Sequence, residues 1–343
     1  MNRAIIDLRS DTVTKPTPAM LEAMMSAQVG DDVYGEDPTV RALEHETARR
    51  FGMETGLFCP SGTMTNQIAI KGHTQPGQEV ICAATAHIYL YEGGGIALNS
   101  GCQPRLLKGD RGRLSPAEVE ATIYKGDDVH YAPTALVSLE NTMNKGGGSV
   151  YPLEQIAAIH AVCERHQIPL HLDGARVFNA LVATGEDPRE YGRYFSTISV
   201  CLSKGLGAPV GSVLLGSEAF IKKARRIRKA FGGGMRQAGY LAAAGLYALE
   251  HHVERLQEDH TRARQIGEVL RRLPWVREVQ PVDTNIVLAD LQGCSPQQVL
   301  EALAAQGVKG VAFGPESIRL VTHLQFDDAQ LERLITLVKE LRF

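Results

Sequence analysis

An aspartate and a lysine 31 positions apart, Asp173 and Lys204, are the residues whose types and spacing carry the most chemistry in this sequence. Each follows a short apolar run that reads as a buried strand, Leu170 to Leu172 and Thr197 to Leu202. The interval fits one strand, helix, strand crossover, so both groups arrive at one edge of a sheet. In an open parallel sheet that edge is where ligands bind. Glu140, after Leu136 to Leu139, ends a third such run. Lys204 sits in Ser203-Lys204-Gly205-Leu206-Gly207, where two glycines leave room for a planar ligand. An amine withdrawn from water into such a pocket is a nucleophile toward a carbonyl carbon near neutral pH. A carboxylate opposite it can keep a ring nitrogen protonated and make an aromatic heterocycle an electron sink. A plain ion pair is the competing reading of the same two residues.

A phosphorylated cofactor also needs an anion site. Phe58-Cys59-Pro60-Ser61-Gly62-Thr63-Met64 runs from a strand through a small-residue turn into a helix. Free N–H groups at the helix start, with the hydroxyls of Ser61 and Thr63, can hold a dianionic phosphate. An ordinary helix cap is the commoner meaning of such a fragment in isolation. Its place on the same sheet edge as Asp173 and Lys204 favours the phosphate, and the three features together describe a site for pyridoxal 5'-phosphate (PLP). His87, just past the strand ending near Cys82, can stack on a ring and exchange protons. His130, in Asp127-Asp128-Val129-His130-Tyr131, offers a second imidazole. Either histidine taken singly reads as a packing or surface residue. Arg176 and Arg319 are the best candidates for a bidentate grip on a carboxylate, though each taken singly reads as a surface arginine.

These groups must be positioned by an α/β fold. Gly56 to Cys59, Glu79 to Cys82, Leu136 to Leu139, Pro169 to Leu172, Thr197 to Leu202 and Ser212 to Leu215 read as buried strands with helical segments between several of them. That alternation predicts a mostly parallel sheet covered on both faces. After about Glu250 the pattern changes to a charged helix from roughly His251 to Leu273 and strands near Asn285 to Ala289 and Ile318 to Val321. A terminal helix follows, with Asp327 as N-cap and an apolar stripe of Leu331, Leu334, Ile335, Val338 and Leu341. The expected division is a large domain over 1–250 and a smaller C-terminal α/β domain over 251–343.

Composition sets the outer limits. With 44% hydrophobic and 22% charged residues and a formal charge of -3, the chain has no field for a polyanion, so neither nucleic acid nor an anionic membrane is expected as a partner. No stretch approaches the roughly 20 apolar residues of a membrane span, and Met1 to Ser10 lacks a signal-peptide run, which makes the cytoplasm the expected location. The six cysteines form no CxxC or Cys/His pairing, so neither a zinc site nor a disulfide framework is expected.

The ordered motifs closely resemble those of the low-specificity L-threonine aldolases, a family of fold-type-I PLP-dependent enzymes. The resemblance runs almost end to end, through Ile6-Asp7-Leu8-Arg9-Ser10-Asp11-Thr12, Gly30-Asp31-Asp32-Val33-Tyr34-Gly35, Leu172-Asp173-Gly174-Ala175-Arg176, Ser203-Lys204-Gly205, Gly232-Gly233-Gly234-Met235-Arg236-Gln237 and Val321-Thr322-His323. It implies that Lys204 carries PLP as a Schiff base, that Asp173 meets the pyridine nitrogen, that His87 stacks on the ring and that Ser61, Gly62 and Thr63 hold the phosphate. It implies further that Arg236 reaches the phosphate, of its own or of a neighbouring subunit, and that Ser10, Arg176 and Arg319 grip the substrate carboxylate. Tyr34 and Tyr91 would line the substrate pocket, with His130 near the β-hydroxyl. The implied assembly is a homotetramer with sites at a dimer interface. One departure stands at Met143, where relatives usually carry His, followed by Asn144-Lys145-Gly146-Gly147-Gly148 in place of a shorter turn.

The implied reaction is retro-aldol cleavage of L-threonine, L-allo-threonine and related β-hydroxy-α-amino acids to glycine and an aldehyde. His87, His130 or a water they hold takes the hydroxyl proton. A β-eliminating enzyme needs the same Lys204 and Asp173 but releases ammonia and a keto acid. A non-catalytic sugar- or nucleotide-binding protein would use the two residues only as an ion pair.

Overall fold

The computed structural model describes residues 5–343, so the first four positions of the amino-terminal stretch lie outside the described residues. Strands in chain order are β1 (Ile6–Asp7), β2 (Thr55–Cys59), β3 (Glu79–Ala83), β4 (Gln103–Leu107), β5 (Thr134–Glu140), β6 (Leu170–Gly174), β7 (Thr197–Cys201) and β8 (Ser212–Gly216). The C-terminal part adds β9 (Val276–Val279), β10 (Ile286–Leu291), β11 (Val308–Lys309), β12 (Val311–Ala312) and β13 (Ser317–Val321).

A seven-stranded sheet in the order β2-β8-β7-β6-β5-β3-β4 forms the scaffold. Strands β4, β3, β5, β6 and β7 run parallel, while β8 is antiparallel to both neighbours. Every residue of β3, β5, β6, β7 and β8 is buried. That is why these strands read as unbroken apolar runs: helices cover both faces and leave no wet side to mark with polar residues. Edge strand β4 alternates partly exposed positions around Pro104 and was not legible as a strand.

A second, antiparallel sheet has the order β12-β13-β10-β9. Its core gathers Trp275, Val287, Leu320 and Leu334 together with Ile6 and Leu8 from the far end of the chain. Strand β1 pairs in parallel with β11, and the His323 ring donates to the carbonyl of Asp7. The N-terminal arm is thereby stitched to the C-terminal sheet, and its continuation crosses the Lys204 turn, where the Thr14 hydroxyl bonds the carbonyl of Lys204.

The charged helix expected from roughly His251 to Leu273 spans Leu256–Leu270, and a separate helix, Gly239–His251, precedes it. The break falls at His252, whose buried ring donates to the carbonyl of Leu206 in the turn after Lys204. The terminal helix, Asp328–Glu340, starts on Asp327 in a reciprocal capping box with Gln330. Among the described residues no helix is long and apolar enough to cross a membrane.

Candidate active site

Register places the chemistry. Glu140 of β5 pairs with Asp173 of β6, and Asp173 with Ser199 of β7, so the carboxyl ends of three adjacent strands open onto one edge. Lys204 follows β7 in a tight turn closed by the N–H of Gly207 on its carbonyl. Gly207 has φ of 81°, and a Cβ there would lie 2.9 Å from Leu324, so the turn admits glycine on both counts.

Two adjoining cavities meet at this edge. The smaller, about 140 Å³, is lined by Gly62, Thr63, Asn66, His87, Asp173 and Lys204. The wider, about 360 Å³, shares His87 and Lys204 and adds Ser10, Tyr91, Glu140, Arg176, Phe313 and Arg319. A larger hollow of about 610 Å³ around Phe178 and Pro188 contains Arg49, Arg50 and Arg189. Each of those guanidiniums already pairs with a nearby carboxylate, so the hollow offers no free cation.

In the smaller cavity the Lys204 amine has no hydrogen-bond or ion-pair partner among the described residues. Asp173 is held from behind: Oδ1 accepts from the Ala175 N–H at 3.1 Å and Oδ2 from Asn66 Nδ2 at 2.9 Å. Ser61 caps the helix Gly62–His73 through its hydroxyl, and the N–H groups of the first turn lie beside the cavity. An amine without a partner, an oriented carboxylate and a helix start are the fittings of PLP, and the residues present suit it.

The wider cavity has a strongly asymmetric pair of arginines. Arg176 donates Nε and Nη2 to the two oxygens of Asp11 at 2.8 and 2.7 Å, with both side chains buried. Burial opposes the Asp11 charge, yet the Arg176 guanidinium holds its carboxyl well below the usual range. Most of the Arg176 fork is therefore committed inside the fold. Arg319 has only neutral partners, with Nη1 on Asn144 Oδ1 at 2.8 Å and Nη2 on the carbonyl of Arg9 at 3.2 Å. Its buried Nε is without a partner, and its guanidinium lies 4.5 Å from the Phe313 ring centroid. Burial, then the charge of Arg176, pulls its pKa down to about 10. A partly buried cation with no carboxylate paired to it is a receptor for an anion.

Glu140 accepts from the backbone N–H of His87 at 2.7 Å and of Asn144 at 2.8 Å. Burial and then the neighbouring Asp173 charge raise its pKa above the usual carboxylate range. The glycines of the Asn144 loop answer to packing. A Cβ on Gly146 would fall 2.1 Å from the carbonyl oxygen of Arg111, and one on Gly148 would fall 2.5 Å from the Thr284 hydroxyl.

Three expected site residues are not brought here. His130 is 84% exposed and paired with Asp128, in a hollow with Glu79 and Gln103 at the amino ends of β3 and β4, the opposite edge of the sheet. Arg236 and Tyr34 are exposed and line neither cavity; Arg236 pairs with Asp31 at 2.8 Å and lies 5.9 Å over the Tyr34 ring. Within a single chain these three do not reach Lys204.

Residues 7–294 match the beta-eliminating lyase family. The low-specificity L-threonine aldolase of Escherichia coli (strain K12) is 45% identical over 327 residues, covering 95% of this chain and 96% of that protein. The chain belongs to the low-specificity L-threonine aldolases. The threonine aldolase of Leishmania major shares the fold of this aldolase, with a TM-score of 0.82 at 22% identity over 97% of this chain and 98% of that one. So does a serine palmitoyltransferase of S. paucimobilis solved with a PLP-myriocin aldimine, with a TM-score of 0.74 at 16% identity over 97% of this chain and 86% of that one. The aldolase site contains residues that sequence reading did not single out as site residues: Asp11, Asn66, Glu92, Asn144 and Phe313. Asp11 and Asn66 lie inside segments already prominent, but only their distant partners reveal what they do.

Proposed function

We propose that this threonine aldolase cleaves the Cα–Cβ bond of L-threonine and L-allo-threonine with PLP held on Lys204, giving glycine and acetaldehyde. The observation that carries the reading is the pairing of an unpartnered Lys204 amine with an uncompensated Arg319 cation across adjoining cavities. When bound, PLP supplies the electron sink that makes the Cα–Cβ bond breakable.

The chain's own residues do the rest. Lys204 would hold the cofactor, Asp173 its ring nitrogen, the N–H groups and hydroxyls of Ser61, Gly62 and Thr63 its phosphate, and His87 one ring face. Arg319 takes the substrate carboxylate, helped by Ser10 and the remaining Nη1 of Arg176, which orients the bond to be broken. Tyr91 lines the space for the β-substituent. We further place Arg236 and Tyr34 at a neighbouring chain's site in a homotetramer, because both are exposed and remote from their own Lys204. The same placement suits His130.

The test is product analysis with L-threonine and L-allo-threonine. Glycine and acetaldehyde in equal amounts are expected from both. Ammonia and a keto acid would instead favour elimination, the reaction named for the broader family.

A further inference from the structure

Glu92 lines neither cavity, and its carboxylate is fully buried against the back of His87, with Oε1 at 3.0 Å from Nδ1. The same oxygen accepts from Asn66 Nδ2 at 2.8 Å, and Oε2 accepts from Gln67 Nε2 at 2.6 Å. The hydrogen-bond directions follow from the inventory of donors and acceptors. Asn66 must turn its NH₂ toward Glu92 and Asp173, since carboxylates only accept, and its carbonyl oxygen then accepts from His171 Nε2 at 3.1 Å. His171 Nδ1 is left to accept from the Thr197 hydroxyl at 2.9 Å. Gln67 is fixed the same way, its carbonyl oxygen accepting from Asn99 Nδ2 at 3.2 Å. With every partner assigned, the atom facing Glu92 in His87 has to be a donor.

We propose that Glu92 is a positioning residue that locks His87 with the proton on Nδ1, leaving Nε2 as the atom that takes the β-hydroxyl proton of the substrate. The inference rests on the aldolase reading above and names the base within it. His87 Nε2 has no hydrogen-bond partner among the described residues, and the ring lines both cavities. The arrangement is that of a histidine base oriented by a buried acid. In the reaction, Nε2 accepts the hydroxyl proton as the O–H bond breaks, and the O–H electrons become the second bond of the departing aldehyde. The Cα–Cβ electrons would go to the electron sink that PLP supplies when bound. No oxidant or further reactant is needed.

The charges around His87 favour this use. Glu92 faces it from the following turn, Asp173 from β6 and Glu140 from β5, while Lys204 and Arg319 stand across the cavities with the Tyr91 phenol. Burial opposes an imidazolium there, but the Glu92 hydrogen bond and the charges of Asp173, Glu92 and Glu140 outweigh it, so the His87 pKa lies above its ordinary value. A raised base pKa puts the acid limb of the pH profile at higher pH than a free imidazole would give.

The test has two independent readings. Nitrogen-15 histidine labelling of the full-length holoenzyme, with His87→Gln to identify the signal, should show Nδ1 protonated and Nε2 bare above the acid limb. The opposite tautomer overturns the proposal whether or not threonine is cleaved. In kinetics, Glu92→Gln keeps an acceptor but removes the charge, so kcat should fall about tenfold or more with a small change in KM, and the acid limb should move to lower pH. Adding Glu92→Gln to His87→Phe should cost less than about twofold further, because the first change acts only through the second residue. An unmoved acid limb, or full additivity, contradicts the assignment. If Glu92→Gln does not fold, Glu92→Asp, which keeps the charge and withdraws it from Nδ1, should lower kcat in the same direction. A loss of cleavage in the wild type with the predicted tautomer intact would count against the aldolase reading and not against the lock.

Discussion

Arg319 and Arg176 look alike in the sequence, and the structure separates them by their partners. Arg319 has neutral contacts and a buried Nε without a partner, whereas Arg176 is forked onto Asp11. Arg319→Lys should therefore lower kcat/KM by about a hundredfold, since an ammonium cannot reproduce a planar grip on a carboxylate. The visible spectrum of the loaded protein should not change, and loss of cofactor in this variant would move Arg319 to a phosphate contact. Asp173→Asn keeps the shape behind the ring nitrogen but not the charge. Its rate should fall roughly a thousandfold, equivalent to several kcal/mol of transition-state stabilisation. Near-normal turnover, measured as acetaldehyde release, would remove the electron-sink role.

At the scale of elements, the strand ends were readable because buried parallel strands stand out as apolar runs and the first ionisable residue after each marks the edge of the sheet. Asp173, Lys204 and Glu140 were found that way. Contacts between residues far apart in sequence leave no such mark. The Asp11 to Arg176 pair spans 165 positions, and Asn285 at the start of β10 also bonds Asp11 at 3.3 Å. One buried carboxylate thus ties the N-terminal arm to both sheets. Asp11→Ala strands the Arg176 charge in the interior and should reduce unfolding stability by about 3–5 kcal/mol, read from chemical denaturation. A change under about 1 kcal/mol would mean that the guanidinium finds water or another partner. The later start of the charged helix, at Leu256 and not His251, was hidden for a similar reason: His252 ahead of it is bound to a carbonyl in the Lys204 turn, with no local breaker to mark the boundary.

The whole molecule carries a site edge that one chain furnishes almost completely, plus exposed residues that it does not use there. Arg236 and Tyr34 share a cluster with Asp31 at the surface, and His130 lies at the other end of the sheet. Residue type and motif could not tell a group that lies at its own chain's Lys204 edge from one that lies elsewhere on the surface. If Arg236 completes a neighbouring site, Arg236→Ala should weaken PLP binding by about tenfold or more, because a charge-assisted phosphate contact contributes roughly 1.5–3 kcal/mol. Unaltered PLP affinity in an intact oligomer would leave Arg236 a surface residue paired with Asp31.

The most direct measurement is reduction of the PLP-loaded protein with borohydride, followed by mass mapping of the cofactor-bearing peptide. The adduct should sit on Lys204 alone, and Lys204→Ala should lose both the reducible chromophore and nearly all cleavage of L-threonine. An adduct on any other lysine, or a Lys204→Ala protein that retains turnover, would contradict the account.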